Sequence, residues 1–286
     1  MPALRGALNA LLLGVNTLLA FTLMVPPALV KLLVPADRVR AGCDRLLNGL
    51  AGGWVAVNNA WIASACPAPW QVRGADGLNP RGWYLVSSNH QSWVDILVLQ
   101  RVFHGRIPFL KFFLKRELIW VPVIGLAWWA LDFPFMKRGR GTGRSDLATT
   151  RRSCEKFKRV PTAVINFVEG TRFSAAKQAG QGGRYRHLLE PRSGGLGVAL
   201  QTLGARVEAL LDVTIVYPDG TPSFWNLLCG DVRKVIVDIR SHSIDPGLID
   251  GDYENDAAFR LKVQNWVNQL WIEKDRRIDD LRAGRP

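Results

Sequence analysis

His90 stands five residues before Asp95 in the stretch Asn89-His90-Gln91-Ser92-Trp93-Val94-Asp95. The apolar run Trp83 to Val86 ahead of it has the pattern of a buried strand, and Val94 to Phe103 after it that of an apolar helix. Ser92 is a residue type that caps helix N-termini, which puts His90 on the strand-to-helix turn and Asp95 in the first helical turn. A helix starting there curls the carboxylate back toward the imidazole. A carboxylate that accepts from one ring nitrogen fixes the tautomer and leaves the other nitrogen free to take a proton. That is the geometry of a general base acting on a hydroxyl. By itself the stretch reads more readily as a capped helix start with a surface histidine and an aspartate facing the helix dipole.

A second block, Phe167-Val168-Glu169-Gly170-Thr171-Arg172, lies at the end of another strand pattern, where α/β folds hold ligands. Gly170 permits close backbone approach or an unusual dihedral, and Arg172 offers a planar fork that matches phosphate oxygens. Between the two blocks, Phe135-Met136-Lys137-Arg138 runs into the basic, glycine-rich loop Gly139 to Arg144 ahead of a helix. Such a loop suits an anion, although it lacks the Gly-Lys-Ser/Thr of a Walker A motif.

The ordered pair Asn-His-x4-Asp and Phe-Val-Glu-Gly-Thr-Arg resembles the glycerolipid acyltransferase family over roughly residues 80 to 220. His187-Leu188-Leu189-Glu190-Pro191-Arg192-Ser193-Gly194-Gly195 and Asp212-Val213-Thr214-Ile215-Val216-Tyr217-Pro218 resemble its lysocardiolipin-type branch. Lys137 departs from the acidic or amide residue that the family usually carries before the arginine. The resemblance implies transfer of a fatty acyl group from an acyl thioester, on coenzyme A or on acyl-carrier protein, to the free hydroxyl of 1-acylglycerol-3-phosphate. It makes His90 the base and Asp95 its orienting partner. Arg138 and Arg172 would hold the glycerol phosphate, with Glu169, Gly170 and Thr171 completing the acceptor site. A thioester is already activated, so the chemistry calls for no metal and no cofactor beyond the acyl donor.

Three other readings compete. A serine hydrolase would use Ser88 or Ser92 with His90, but no Gly-x-Ser-x-Gly elbow is present. A non-catalytic protein would only hold anionic lipid. An acyltransferase could also serve another lysophospholipid or lipid acceptor.

The 286 residues carry a formal charge of +13, 48% hydrophobic residues and 11 tryptophans. This balance points to an anionic partner, and the tryptophans favour a membrane interface over nucleic acid, for which no motif is visible. Four scattered cysteines make no CxxC pair, which implies reduced thiols rather than zinc or disulfides. His104, His187 and His242 read as surface residues.

Ala7 to Val25 is apolar except for Asn9, Asn16 and Thr17, and Pro26-Pro27 interrupts it. It reads as a retained anchor that spans or dips into a bilayer. Lys31, Arg38, Arg40 and Arg45 follow, as on the cytoplasmic side of a membrane. Leu46 to Cys66, which carries no charge, reads as a second membrane-contacting helix packed on the first. Residues 1–69 are thus expected to be an anchoring helical region and 70–286 the catalytic domain, on the cytoplasmic face of a bacterial inner membrane.

Strands are expected at Gln71 to Arg73, Trp83 to Ser87, Leu131 to Met136, Thr162 to Phe167, Leu211 to Val216 and Val235 to Ile239. Helices are expected at Val94 to Phe103, Ser145 to Arg159, Gly195 to Leu203 and Ala257 to Glu273, with a frayed tail from Arg276. The alternation predicts an α/β domain, a mixed or mostly parallel sheet flanked by helices, preceded by the helical anchor.

Overall fold

The computed structural model describes residues 2–66, 70–121, 124–136 and 143–285. Two long helices come first, α1 (Pro2–Leu33) and α2 (Asp37–Ala65). The rest alternates: β1 (Gln71–Arg73), β2 (Tyr84–Ser88), α3 (Val94–Phe103), β3 (Leu110–Phe112), β4 (Leu114–Lys115), α4 (Ile124–Ala130), β5 (Phe135–Met136), α5 (Gly143–Phe157), β6 (Ala163–Asn166), α6 (Ala175–Gly180), α7 (Gly194–Leu203), β7 (Ala209–Val216), α8 (Phe224–Cys229), β8 (Ile236–His242) and α9 (Ala257–Arg282).

Six strands form one sheet in the order β1-β8-β7-β2-β6-β3. β7, β2, β6 and β3 run parallel, whereas β8 is antiparallel to β7 and carries β1 parallel to itself. β4 and β5 form a separate parallel pair. The sheet is therefore mixed and mostly parallel, flanked by helices.

Strand alternation sorts the core into two layers. Val86, Ile165, Leu211, Val213 and Val237 face α1, α2 and α3, against Met24, Leu47, Val98 and Phe103. Leu85, Val164, Leu210 and Ile236 face the other way, against α5, α7 and α9 through Phe157, Leu200 and Trp271. Both faces are covered, which is why the central strands read as continuous apolar runs.

The apolar run of α1 extends through its two prolines, contrary to the expected break. Proline removes an N–H but does not forbid a helix that packing holds on both sides. Here Asn16 Nδ2 donates to Asn58 Oδ1 (2.8 Å) before the prolines, and Lys31 pairs with Asp44 (2.6 Å) after them. Trp54 Nε1 donates to Thr17 Oγ1 (3.1 Å) and Asn9 Nδ2 to the Leu228 carbonyl (2.7 Å). Positions 9, 16, 17, 20, 24 and 31 share the face that docks on protein, as helical spacing requires. The opposite face exposes Leu4, Leu8, Leu11, Leu12, Leu18 and Leu19, among others.

Other differences have similar causes. α2 begins at Asp37 rather than Leu46, because Asp44 turns inward to Lys31. Leu131 and Asp132 form a turn, with Asp132 at φ 57°, and only Phe135–Met136 is strand. The short strands β3 and β4 and the short helices α4, α6 and α8 carry too little periodic sequence to be seen. α9 continues to Arg282 instead of fraying at Arg276, because Arg277 bonds Asp238 (2.8 Å) and Ile278 and Leu281 are buried.

Candidate active site

β2 ends at Ser88 in the middle of the sheet, and the chain leaves it through Asn89 and His90. Asn89 is buried and clamps this exit to β7, donating to the Ile215 carbonyl and accepting from the Ile215 N–H, both at 2.9 Å. His90 Nδ1 then lies 2.9 Å from Asp95 Oδ2. Because a carboxylate accepts, this contact places the ring proton on Nδ1 and leaves the Nε2 lone pair outward. Nε2 has no protein partner among the described residues. The imidazole stacks on Phe167, with ring centroids 4.0 Å apart and 15° between planes.

Asp95 does more than hold the ring. Its Oδ2 also accepts from the Gln91 N–H (2.6 Å) and the Ser92 N–H (2.8 Å), and its Oδ1 accepts from the Tyr217 hydroxyl (2.6 Å). Four donors on one fully buried carboxylate leave it a single geometry. Burial, followed by the neighbouring Asp95 charge, pushes the Tyr217 hydroxyl well above its ordinary pKa, so it remains a donor. Nothing in the local sequence around Tyr217 marks it for this role. Only the return of β7 beside β2 brings it there.

Ser92 is not the helix cap. Trp93 takes that position in helical conformation with no side-chain bond, although Ser92 Oγ still accepts from the Val94 N–H (3.1 Å). Ser92 Oγ donates to the Pro222 carbonyl (2.5 Å) and Ser88 Oγ to the Asn89 carbonyl (3.0 Å). Neither hydroxyl contacts His90, which leaves the serine-hydrolase reading without its nucleophile–base bond.

β6 ends beside β2 in the parallel sheet, so the second block arrives next to the first. Phe173 N–H donates to the His90 carbonyl (2.7 Å), and His90 N–H to Glu169 Oε1 (3.2 Å). Glu169 Oε2 accepts from the Leu189 N–H (3.3 Å). Among the described residues Glu169 thus braces backbone rather than arginine side chains. Burial pushes its carboxyl up to about 8, outweighing the two N–H bonds that act in the opposite sense. Gly170 sits at φ 69°, a left-handed conformation that asks for glycine.

Thr171 and Arg172 are exposed beyond it. Lys177, on α6 and outside both motif blocks, donates to Thr171 Oγ1 (2.8 Å) and to the Arg172 carbonyl (2.9 Å). The Arg172 guanidinium lies over the Trp93 ring, 5.3 Å from its centroid, so both blocks shape one open surface. The structure therefore brings together His90, Asp95, Glu169, Gly170, Thr171 and Arg172. Arg138 lies outside the described residues. His187 is a correction: its Nε2 contacts Asp279 (2.8 Å) and it packs against α9 with little exposure, whereas His104 is exposed as expected. His242, at the end of β8, is half-buried rather than on the surface.

The central parallel strands of the α/β sheet thus present a tautomer-fixed histidine beside a glycine–arginine loop. The acyltransferase family model matches residues 70–219, more than half of the chain, and the chain belongs to that family.

It is 27% identical over 213 residues to 1-acyl-sn-glycerol-3-phosphate acyltransferase 3 of Arabidopsis thaliana, covering 68% of this chain and 52% of that protein. Against the gamma form of Mus musculus it is 29% identical over 204 residues, 67% of this chain and 51% of that one. The chain spans about half the length of these curated relatives. Against the delta form of Pongo abelii it is 25% identical over 278 residues, 91% of this chain and 68% of the relative. Among solved structures, that of the 1-acyl-sn-glycerophosphate acyltransferase PlsC from Thermotoga maritima matches with TM-score 0.49 and 20% identity, covering 94% of this chain and 98% of that one.

Proposed function

We propose that this chain is a membrane-bound acyltransferase that moves a fatty acyl group from an acyl thioester to the free hydroxyl of 1-acylglycerol-3-phosphate, giving phosphatidic acid. The observation that carries the reading is the His90–Asp95 contact, at 2.9 Å, with Nε2 left without a partner among the described residues. The names of the relatives support the choice of acceptor.

In the proposed step Nε2 takes the proton of the acceptor hydroxyl as its oxygen forms a bond to the thioester carbonyl carbon. Asp95 stabilises the imidazolium through Nδ1–H. The tetrahedral intermediate then expels the thiolate, which takes the proton back from Nε2. Arg172, with Arg138, holds the acceptor phosphate, and Glu169 and Gly170 fix the loop that carries Arg172. The donor is acyl-CoA or acyl-carrier protein, and no metal enters the scheme. Residues 1–69 serve as anchor, with the catalytic part at the cytoplasmic face of a bacterial inner membrane. The support is α1, whose 32 residues are long and apolar enough to cross a bilayer, with only 22% of its apolar window buried.

The test is a transfer assay in liposomes with labelled acyl donors, on coenzyme A and on carrier protein, and a panel of lysophospholipids. Phosphatidic acid formed by wild type and reduced roughly 10²- to 10⁴-fold in His90→Ala is the expected outcome. Equal turnover by the two proteins eliminates His90 as the base. Product from a different lysophospholipid alone replaces the acceptor named above.

A further inference from the structure

A cavity of about 360 Å³ opens between α2, the C-terminal end of α3 and the segments that lead into β2, β3 and β6. Those three strands run parallel and His90 follows β2, so the cavity lies at the end of the sheet opposite His90. It shares no residue with the loops around the histidine.

Its wall is apolar, built by Val55, Phe103, Ile107, Phe109, Leu110 and Val160. Arg45 on α2 and Arg81 ahead of β2 stand at its exposed rim, and no carboxylate lines it. Among the described residues neither guanidinium has an ion-pair partner.

Two features of the lining have no explanation in the protein's own packing. Gln100 is only 8% exposed, and its buried Oε1 has no hydrogen-bond partner. A buried acceptor without a donor is costly, which marks a place where a donor from outside belongs. Gly49 and Gly52 lie within α2, where glycine is the poorest helix former after proline. Yet no atom lies within 4 Å of the point where a Cβ would stand at either residue. The glycines leave the cavity open rather than admit a neighbouring element.

We propose that this cavity binds one acidic phospholipid whose head group carries a free hydroxyl. The phosphate lies between Arg45 and Arg81, the hydroxyl donates to Gln100 Oε1, and the acyl-bearing part lies along the apolar wall. A free phosphate ester would leave that wall without a partner. A fatty acid would leave Gln100 without a donor, and a zwitterionic lipid would bring a cation to two guanidinium groups.

The experiment counts lipid bound to the full-length protein in non-ionic detergent by native mass spectrometry. Phosphatidylglycerol, phosphatidylcholine and phosphatidylmethanol of identical acyl chains are compared, with glycerol 3-phosphate as competitor. The expected result is one phosphatidylglycerol per chain, retained about tenfold more strongly than phosphatidylcholine and not displaced by glycerol 3-phosphate.

Gly52→Leu has room for its side chain and a better helix former, so it should abolish retention without lowering the unfolding temperature. Arg45→Ala with Arg81→Ala should lower retention at least tenfold, as loss of a charged hydrogen bond does. Gln100→Leu should bind phosphatidylglycerol and the hydroxyl-free phosphatidylmethanol alike, whereas wild type prefers the former. Retention unchanged in Gly52→Leu, equal retention of phosphatidylcholine, or displacement by glycerol 3-phosphate each overturns the proposal.

Discussion

Asp95 concentrates the chemistry of the site into one carboxylate: Oδ2 serves the imidazole and two backbone N–H groups, while Oδ1 takes the Tyr217 hydroxyl. Tyr217→Phe removes the only hydrogen bond that Oδ1 accepts among the described residues and leaves the His90 bond in place. Acyl transfer should fall by a few-fold to tenfold, as expected for one hydrogen bond to a charged group. Transfer at the wild-type rate in that variant would show that the three remaining donors suffice.

Glu169 offers a pH test. Its folded-state value of about 8 lies above the ordinary 4.5. Between those values the folded chain keeps a proton that the unfolded chain has lost, so this group destabilises the fold increasingly as pH rises. The unfolding temperature should therefore drop from pH 5 to pH 8.5 by more in wild type than in Glu169→Gln. Parallel pH profiles would refute the assignment. Arg172 is exposed and held by Trp93 alone among its described side-chain contacts. Arg172→Ala should accordingly raise the KM for the acceptor while that for the donor stays within twofold, and a change confined to the donor would count against it.

At the scale of elements, α9 is tied to the neighbouring strands β7 and β8 through buried charge. Lys274 is fully buried, 2.7 Å from Asp212 on β7, and its Nζ donates to the Val213 carbonyl (2.5 Å). Burial pulls its pKa down, against the opposing pull of Asp212. Removing one partner of such a pair strands the other, which typically costs about 3–5 kcal/mol. Lys274→Ala should lose stability on that order in a denaturant titration, and the Lys274→Met, Asp212→Leu pair should recover most of it. A double variant no better than the single one would mean that the lost contact with the sheet, not the unpaired charge, dominates.

Across the whole molecule, a net charge of +13 and the exposed leucines of α1 would act on a membrane by different physics. Charge attraction to anionic lipid is screened within about 8–10 Å at moderate salt, whereas apolar insertion is not. Sedimentation with anionic vesicles should weaken only in part between 0.1 and 1 M salt. Complete release at high salt would reduce α1 to a helix that never enters the bilayer.

The residues named from the sequence as base and orienting partner meet at the expected contact because both are local: five positions across a strand-to-helix turn fix them. The same locality made α3, α7 and the central strands legible from periodicity, and the length of the N-terminal apolar run was plain in the composition. What sequence alone could not supply were partners brought in from a distance. Tyr217 reaches Asp95, Glu169 reaches His90 and Asn89 reaches Ile215 only because β7 and β6 flank β2 in the sheet. α9 persists past Arg276, and α1 past its prolines, because charges that read as solvated face Asp212, Asp238 and Asp44 in the interior. A charge or a hydroxyl carries no mark of its partner in the chain; only the tertiary arrangement removes the water and supplies one.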